Sequence, residues 1–124
     1  VVMTTAANGR IYDANKNSGK NFEIVWDGQA LGLVIWMIPK GAPNLDAAYK
    51  FLHFAGSPQR QANLARYIPY GPANADAMAE IEPATRALLP NTADHMTNAF
   101  VVDPVFWANH REELRERFTA WLAK

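Results

Sequence analysis

Apolar residues in this chain follow two different periods. Leu31–Ile38 is apolar on both faces, the pattern of a central or parallel strand buried on two sides. Phe22–Trp26 reads as a shorter strand turned by Asp27-Gly28, and Val1–Thr5 as a β-branched one. Between these, Asn8-Gly9 signals a turn or a helix start, and Ile11–Asn15 a short helix ended by Asn17-Ser18-Gly19. Beyond the Pro39-Lys40-Gly41 turn the spacing becomes helical. Leu45, Ala48, Leu52 and Ala55 share a face of a helix that starts at Pro43 or Asn44 and stops at Gly56. Ser57-Pro58 places an N-cap before a proline at the first helical position, opening a helix to about Tyr67.

Pro69-Tyr70-Gly71-Pro72 must be a loop. Asn74 can cap a short helix over Ala75–Ile81, and Pro83 and Pro90 then break the chain into short pieces. Asp103-Pro104 opens a final helix with Trp107, Leu114, Phe118, Trp121 and Leu122 on one face. Glu113 and Arg117 pair at i,i+4 on the other side, worth a few tenths of a kcal/mol. The aromatic face calls for a covering surface, since two Trp and a Phe in water make an exposed apolar patch. Three early strands also leave two open sheet edges.

A chain of 124 residues is enough for one small domain. At 49% hydrophobic, disorder is not expected. Lys+Arg and Asp+Glu are 12 each, and the zero net charge argues against a nucleic-acid partner. With no cysteine, disulfides and thiolate-bound zinc are excluded, while the redox compartment stays open. No apolar run reaches the ~18 residues of a membrane span. Val1-Val2-Met3-Thr4-Thr5 reads as the inside of a strand and not as a signal peptide, so the expectation is a fragment of a longer protein.

His53, His95 and His110 lack the spacing of a helical metal site, and no G-x-S-x-G elbow or phosphate loop is present. Glu80/Glu82 and Glu112/Glu113 read as solvated faces. Aromatic residues carry more signal, because flat rings suit apolar or cationic solutes. Trp107 and Trp121 belong to the helical stripe, whereas Trp26 and Trp36 can serve a core or a cleft. Tyr70 sits in a loop where no periodicity demands a ring. Asn8-Gly9-Arg10 precedes a helix, where amide donors and the Asn side chain can hold a solute's polar end. The candidate ligand contacts are therefore Tyr70, Asn8, Arg10 and Trp36, with no catalytic and no metal-binding residue.

The ordered set Val1-Val2-Met3, Asn8-Gly9, Ile24-Val25-Trp26, Ile38-Pro39-Lys40-Gly41, Tyr70-Gly71-Pro72-Ala73-Asn74 and Phe106-Trp107 resembles the last third of a bacterial ABC-transporter solute-binding protein of the polyamine-binding branch. The resemblance implies an α/β, two-lobed periplasmic-binding-protein fold of type II that closes on its solute. It places residues 1–38 near the lobe crossing, 39–102 in the helical part of one lobe, and 103–124 as a helix returning to the other. It implies capture of a small organic solute in the periplasm for delivery to a membrane permease, without covalent chemistry or a cofactor. Polyamine-binding members clamp an alkyl chain between rings and its ammonium groups on carboxylates. The family's aromatic position falls here on Ala7 and its Trp-x-Asp pair on Gly32 and Val34. A buried ammonium without a carboxylate is costly, so a bulkier or neutral solute, or an acid held by Arg10 and amides, is expected. An isolated fragment should pair with a second copy or swap elements. The rival expectation is an autonomous interaction domain docking through its aromatic tail helix.

Overall fold

The computed structural model describes residues 7–124, so the strand expected over Val1–Thr5 lies outside the described range. The helices are α1 (Asn8–Asn17), α2 (Leu45–Ala55), α3 (Pro58–Ala65), the short α4 (Pro83–Arg86) and α5 (Pro104–Leu122), with a 3-10 segment over Ala75–Glu80. Ser57 precedes α3 but does not cap it, its hydroxyl donating instead to the Phe54 carbonyl at 2.9 Å. Asp103 caps α5 as expected, its Oδ1 accepting from the backbone N–H groups of Val105 and Phe106 at 2.8 and 3.2 Å. Pro39–Ala42 closes a turn through Ala42 N–H to the Pro39 carbonyl at 3.2 Å, and Gly41 supplies the φ of +82° that its third position demands.

The strands depart from the sequence expectation. Among the described residues only Ala30–Leu31 (β1) forms a ladder, pairing in parallel with Phe100–Val101 (β2). Phe22–Trp26 is irregular and is tied back by its first residue, which exchanges two hydrogen bonds of 2.9 Å with the Asn15 side chain. From Gly32 to Ile38 there is no ladder, and Val34 and Met37 are 95% and 85% exposed. Local composition asks for burial there, but a strand needs neighbours on its edges, and β1 finds one neighbour for two residues.

The core sits where α3 meets the 3-10 segment. Ala62, Ala65, Ala77 and Ile81 pack with Leu89, and Met78 covers them from the side. Alanine on both elements lets the two backbones approach closely. Asn74 is the joint between them: its N–H donates to Gln61 Oε1, its amide donates to the Gly56 carbonyl, and its Oδ1 accepts from Asp76 N–H. A second joint fastens residues 26–31 to residues 89–95. Trp26 stacks on His95 with ring centroids 4.1 Å apart, and the Gln29 amide donates to the carbonyls of Pro90 and His95, both at 2.7 Å.

Helix α5 buries none of its residues, and its stripe of Trp107, Phe118, Trp121 and Leu122 faces outward. The accessible surface of the chain is 10376 Å². A folded monomer of this mass exposes about 6,600 Å². The excess is larger than one side of a standard protein interface, roughly 800 Å².

Among the described residues Leu89 is the one large, fully enclosed side chain of a small core. Leu89→Ala should cost about 2–5 kcal/mol. Urea titration followed by far-ultraviolet circular dichroism checks this, with loss of a cooperative transition the expected result.

Candidate functional site

A groove of about 540 Å³ runs beside the first turns of α1, with Arg10, Tyr12, Asp13 and Lys16 on one wall and Tyr67, Ile68 and Tyr70 on the other. Its walls come from segments some sixty residues apart in sequence, and two features hold them together. Gly9 is buried in the first turn of α1; a Cβ there would lie 2.8 Å from Tyr70 Cε1 and 3.0 Å from Ile68 Cγ1. The missing side chain lets the loop seat against the helix. Beside it, the Asn8 amide donates to the Pro69 carbonyl at 2.5 Å and reaches the Leu88 carbonyl at 3.5 Å.

The loop is shaped from its own side as well. Tyr70 N–H donates to the Ile68 carbonyl at 2.7 Å, a tight turn around Pro69. The Asn91 side chain occupies the space a Cβ on Gly71 would fill and donates to the Pro72 carbonyl at 2.9 Å. Tyr70 is thereby held with its ring at the groove, 41% exposed.

The four residues singled out from sequence separate. Arg10 and Tyr70 line the same groove. Asn8 sits behind it, its amide committed to two backbone carbonyls that position the loop. Trp36 lies elsewhere, 68% exposed and edge-on to Phe51 of α2 at 5.3 Å. Gly32 and Val34 do not line the groove either, and nothing lies within 4 Å of a Cβ built on Gly32. Tyr12, Asp13, Lys16 and Tyr67 were missed by sequence reasoning. The signal for the first three was present: Gly9, Tyr12, Asp13 and Lys16 recur at three- and four-residue steps, so they share a helix face.

Chemically the walls offer two cations, one carboxylate and three phenol rings, a surface for a small polar solute with an apolar middle. Among the described residues no group of three His, Cys, Asp or Glu is placed to hold a metal ion. All ion pairs among them lie on α5, including Glu113–Arg117 at 3.4 Å and Glu112–Arg115 at 2.7 Å. The groove charges are thus not neutralised by one another.

Residues 1–91 match the family described as bacterial extracellular solute-binding protein. The whole chain is 40% identical over 124 residues to the gamma-aminobutyric acid-binding protein of Pseudomonas aeruginosa, of which it covers 35%. Its structure superposes with a TM-score of 0.71, at 31% identity, on the PBP AgtB of A. tumefaciens R10 in complex with agropinic acid. That match covers 94% of this chain and 37% of the other. The chain therefore spans about a third of the length of either relative.

Gly9→Ala weighs two effects against each other. Alanine gains about 1 kcal/mol of helix propensity, whereas crowding a ring and a neighbouring Ile side chain costs about 1–3 kcal/mol. Thermal unfolding should show a net fall in Tm; an unchanged or raised Tm would mean that the loop retreats freely.

Proposed function

The chain belongs to the bacterial extracellular solute-binding proteins, and on that premise we propose that it forms part of the substrate-binding component of an ABC importer that captures a small organic acid. The observation that carries this reading is Arg10 beside Tyr70 in one groove, with no ion-pair partner of its own among the described residues. A guanidinium left open to solvent in a concave site is suited to a carboxylate, which it can grip with two parallel hydrogen bonds. The ring of Tyr70 offers a flat wall for the carbon skeleton. One relative is named for binding gamma-aminobutyric acid and the other is seen in complex with agropinic acid, which supports a carboxylate solute over a polyamine. A polyamine would meet Arg10 and Lys16 as like charges against the single carboxylate of Asp13, and would find neither an acid nor a ring at Gly32, Val34 or Ala7.

The role is binding and release, not turnover. The solute would be gripped in the periplasm between this groove and a second lobe, then passed to a membrane permease. No helix among the described residues is long and apolar enough to cross a membrane itself.

Calorimetry on the protein expressed from its complete natural reading frame tests the reading. Gamma-aminobutyrate should bind, spermidine should not, and Arg10→Ala should weaken the acid by roughly tenfold or more, as loss of a charged hydrogen-bonding pair does. Tight spermidine binding that Tyr70→Ala weakens, without binding of the acid, would overturn it.

A further inference from the structure

We propose that Asn8-Gly9 is a modification site, where Asn8 closes spontaneously onto the backbone nitrogen of Gly9 and is hydrolysed to aspartate or isoaspartate. The fold holds this reaction off, and its product releases the Ile68–Tyr70 loop from α1. No solute takes part, so the site stands apart from the binding of any acid.

Glycine has no side chain to shield its amide nitrogen, so an asparagine before it is the most exposed of all to this attack. The Gly9 nitrogen, deprotonated by hydroxide, attacks Cγ of Asn8. The Cγ–Nδ2 bond breaks, ammonia leaves, and a five-membered succinimide remains. Water then adds to one of its two carbonyls. Addition at Cγ leaves the normal chain with an aspartate; addition at the main-chain carbonyl leaves Gly9 joined through Cγ, an isoaspartate. One water is taken up and one ammonia released, and neither an oxidant nor a metal is needed.

Two features of the fold oppose ring closure. Asn8 is the first residue of α1 and has helical torsions. These hold the Gly9 nitrogen away from Cγ, and the ring forms only when ψ of Asn8 leaves the helical well. The Asn8 amide is also tied outward, to the Pro69 carbonyl at 2.5 Å and the Leu88 carbonyl at 3.5 Å, and cannot swing toward the main chain while it is held. Gly9 itself is buried against Tyr70 and Ile68. The reaction therefore passes through an opened first turn, and its rate follows the population of that opening.

The same contacts decide the consequence. A carboxylate only accepts hydrogen bonds, so the product would set its oxygens against two carbonyls with no N–H to offer them. Isoaspartate also adds a methylene to the main chain within the first turn. The Asn91 bond to the Pro72 carbonyl is untouched, so the loop keeps its tie to residue 91 and loses its tie to α1. The wall carrying Arg10 then parts from the wall carrying Tyr70, and the change is irreversible.

Peptide mass spectrometry on the protein expressed from its complete natural reading frame, aged at pH 8 in oxygen-18 water with and without urea, tests the proposal. The label should enter at Asn8 as aspartate plus isoaspartate in urea, and at least about tenfold more slowly in the native state. Asn17-Ser18, exposed at the other end of α1, is the internal standard and should show a smaller ratio. In urea, Gly9→Ala should slow the conversion, since its effect there is on the attacking nitrogen and not on the fold. Asn8→Asp, which carries the product's charge, should lower native-state hydrogen-exchange protection of the Tyr70 N–H by about fivefold or more. An unlabelled Asn8 in urea, or a native-to-urea ratio no larger than that of Asn17, overturns the proposal without any variant. Unchanged exchange at Tyr70 in Asn8→Asp overturns the release of the loop.

Discussion

Asn8 and Gly9 make the contact from which the geometry of the groove follows. One donates to carbonyls 61 and 80 residues further along the chain, and the other leaves room for the ring of Tyr70 to touch the helix. Each works by giving something up. Gly9 forgoes a side chain in a helical position where alanine is favoured by about 1 kcal/mol. Asn8 spends its amide on the backbone, so it cannot offer those donors to a solute. With α1 and the Ile68–Tyr70 loop seated together, Arg10 and Tyr70 line one groove, and a helix face that is otherwise plain surface becomes one of its walls.

The rest of the molecule is lightly held. Among the described residues its core is five side chains, three of them alanine, and its joints are side-chain amides on backbone carbonyls: Asn74 between α3 and the 3-10 segment, Gln29 on Pro90 and His95. Such joints fix orientation more than they add stability, since each contributes about 1 kcal/mol net. Meanwhile Leu33–Met37 and the stripe of α5 stay in water. That much apolar exposure accords with a chain that corresponds to about a third of its relatives' length. It is a poor match to the closed core that an autonomous interaction domain would build around its own sheet. The concave surface beside Tyr70 fits the solute-binding family.

The starts of α5 and of the 3-10 segment were legible because their causes are local. Asp103-Pro104 and Asn74 each satisfy backbone N–H groups two or three residues away. The order of motifs from Asn8-Gly9 to Phe106-Trp107 was enough to indicate the family. The Leu31–Ile38 strand was misjudged because an apolar run reports a demand for burial and says nothing about which edge will pair with it; the structure gives ladder bonds to Leu31 alone of that run. Trp36 stands apart from the groove, edge-on to Phe51, because an aromatic in an apolar run specifies no long-range partner. Asp13 and Lys16 were overlooked although their spacing was visible, since α1 was read from Ile11 to Asn15, which leaves Arg10 outside the helix and hides the shared face.

What the sequence alone determined, then, was where α2, α3 and α5 begin, where the chain turns at Pro39–Gly41, and that Tyr70 sits in a loop free of any periodic demand. Those features depend on hydrogen bonds and torsions within a few residues. Only the tertiary structure decided that Tyr70 and Arg10 would line one groove, that the Asn8 amide would tie helix to loop, and that most of the apolar run would stay unladdered. Each of these rests on contacts between distant segments, and local periodicity carries no information about which distant surface will arrive.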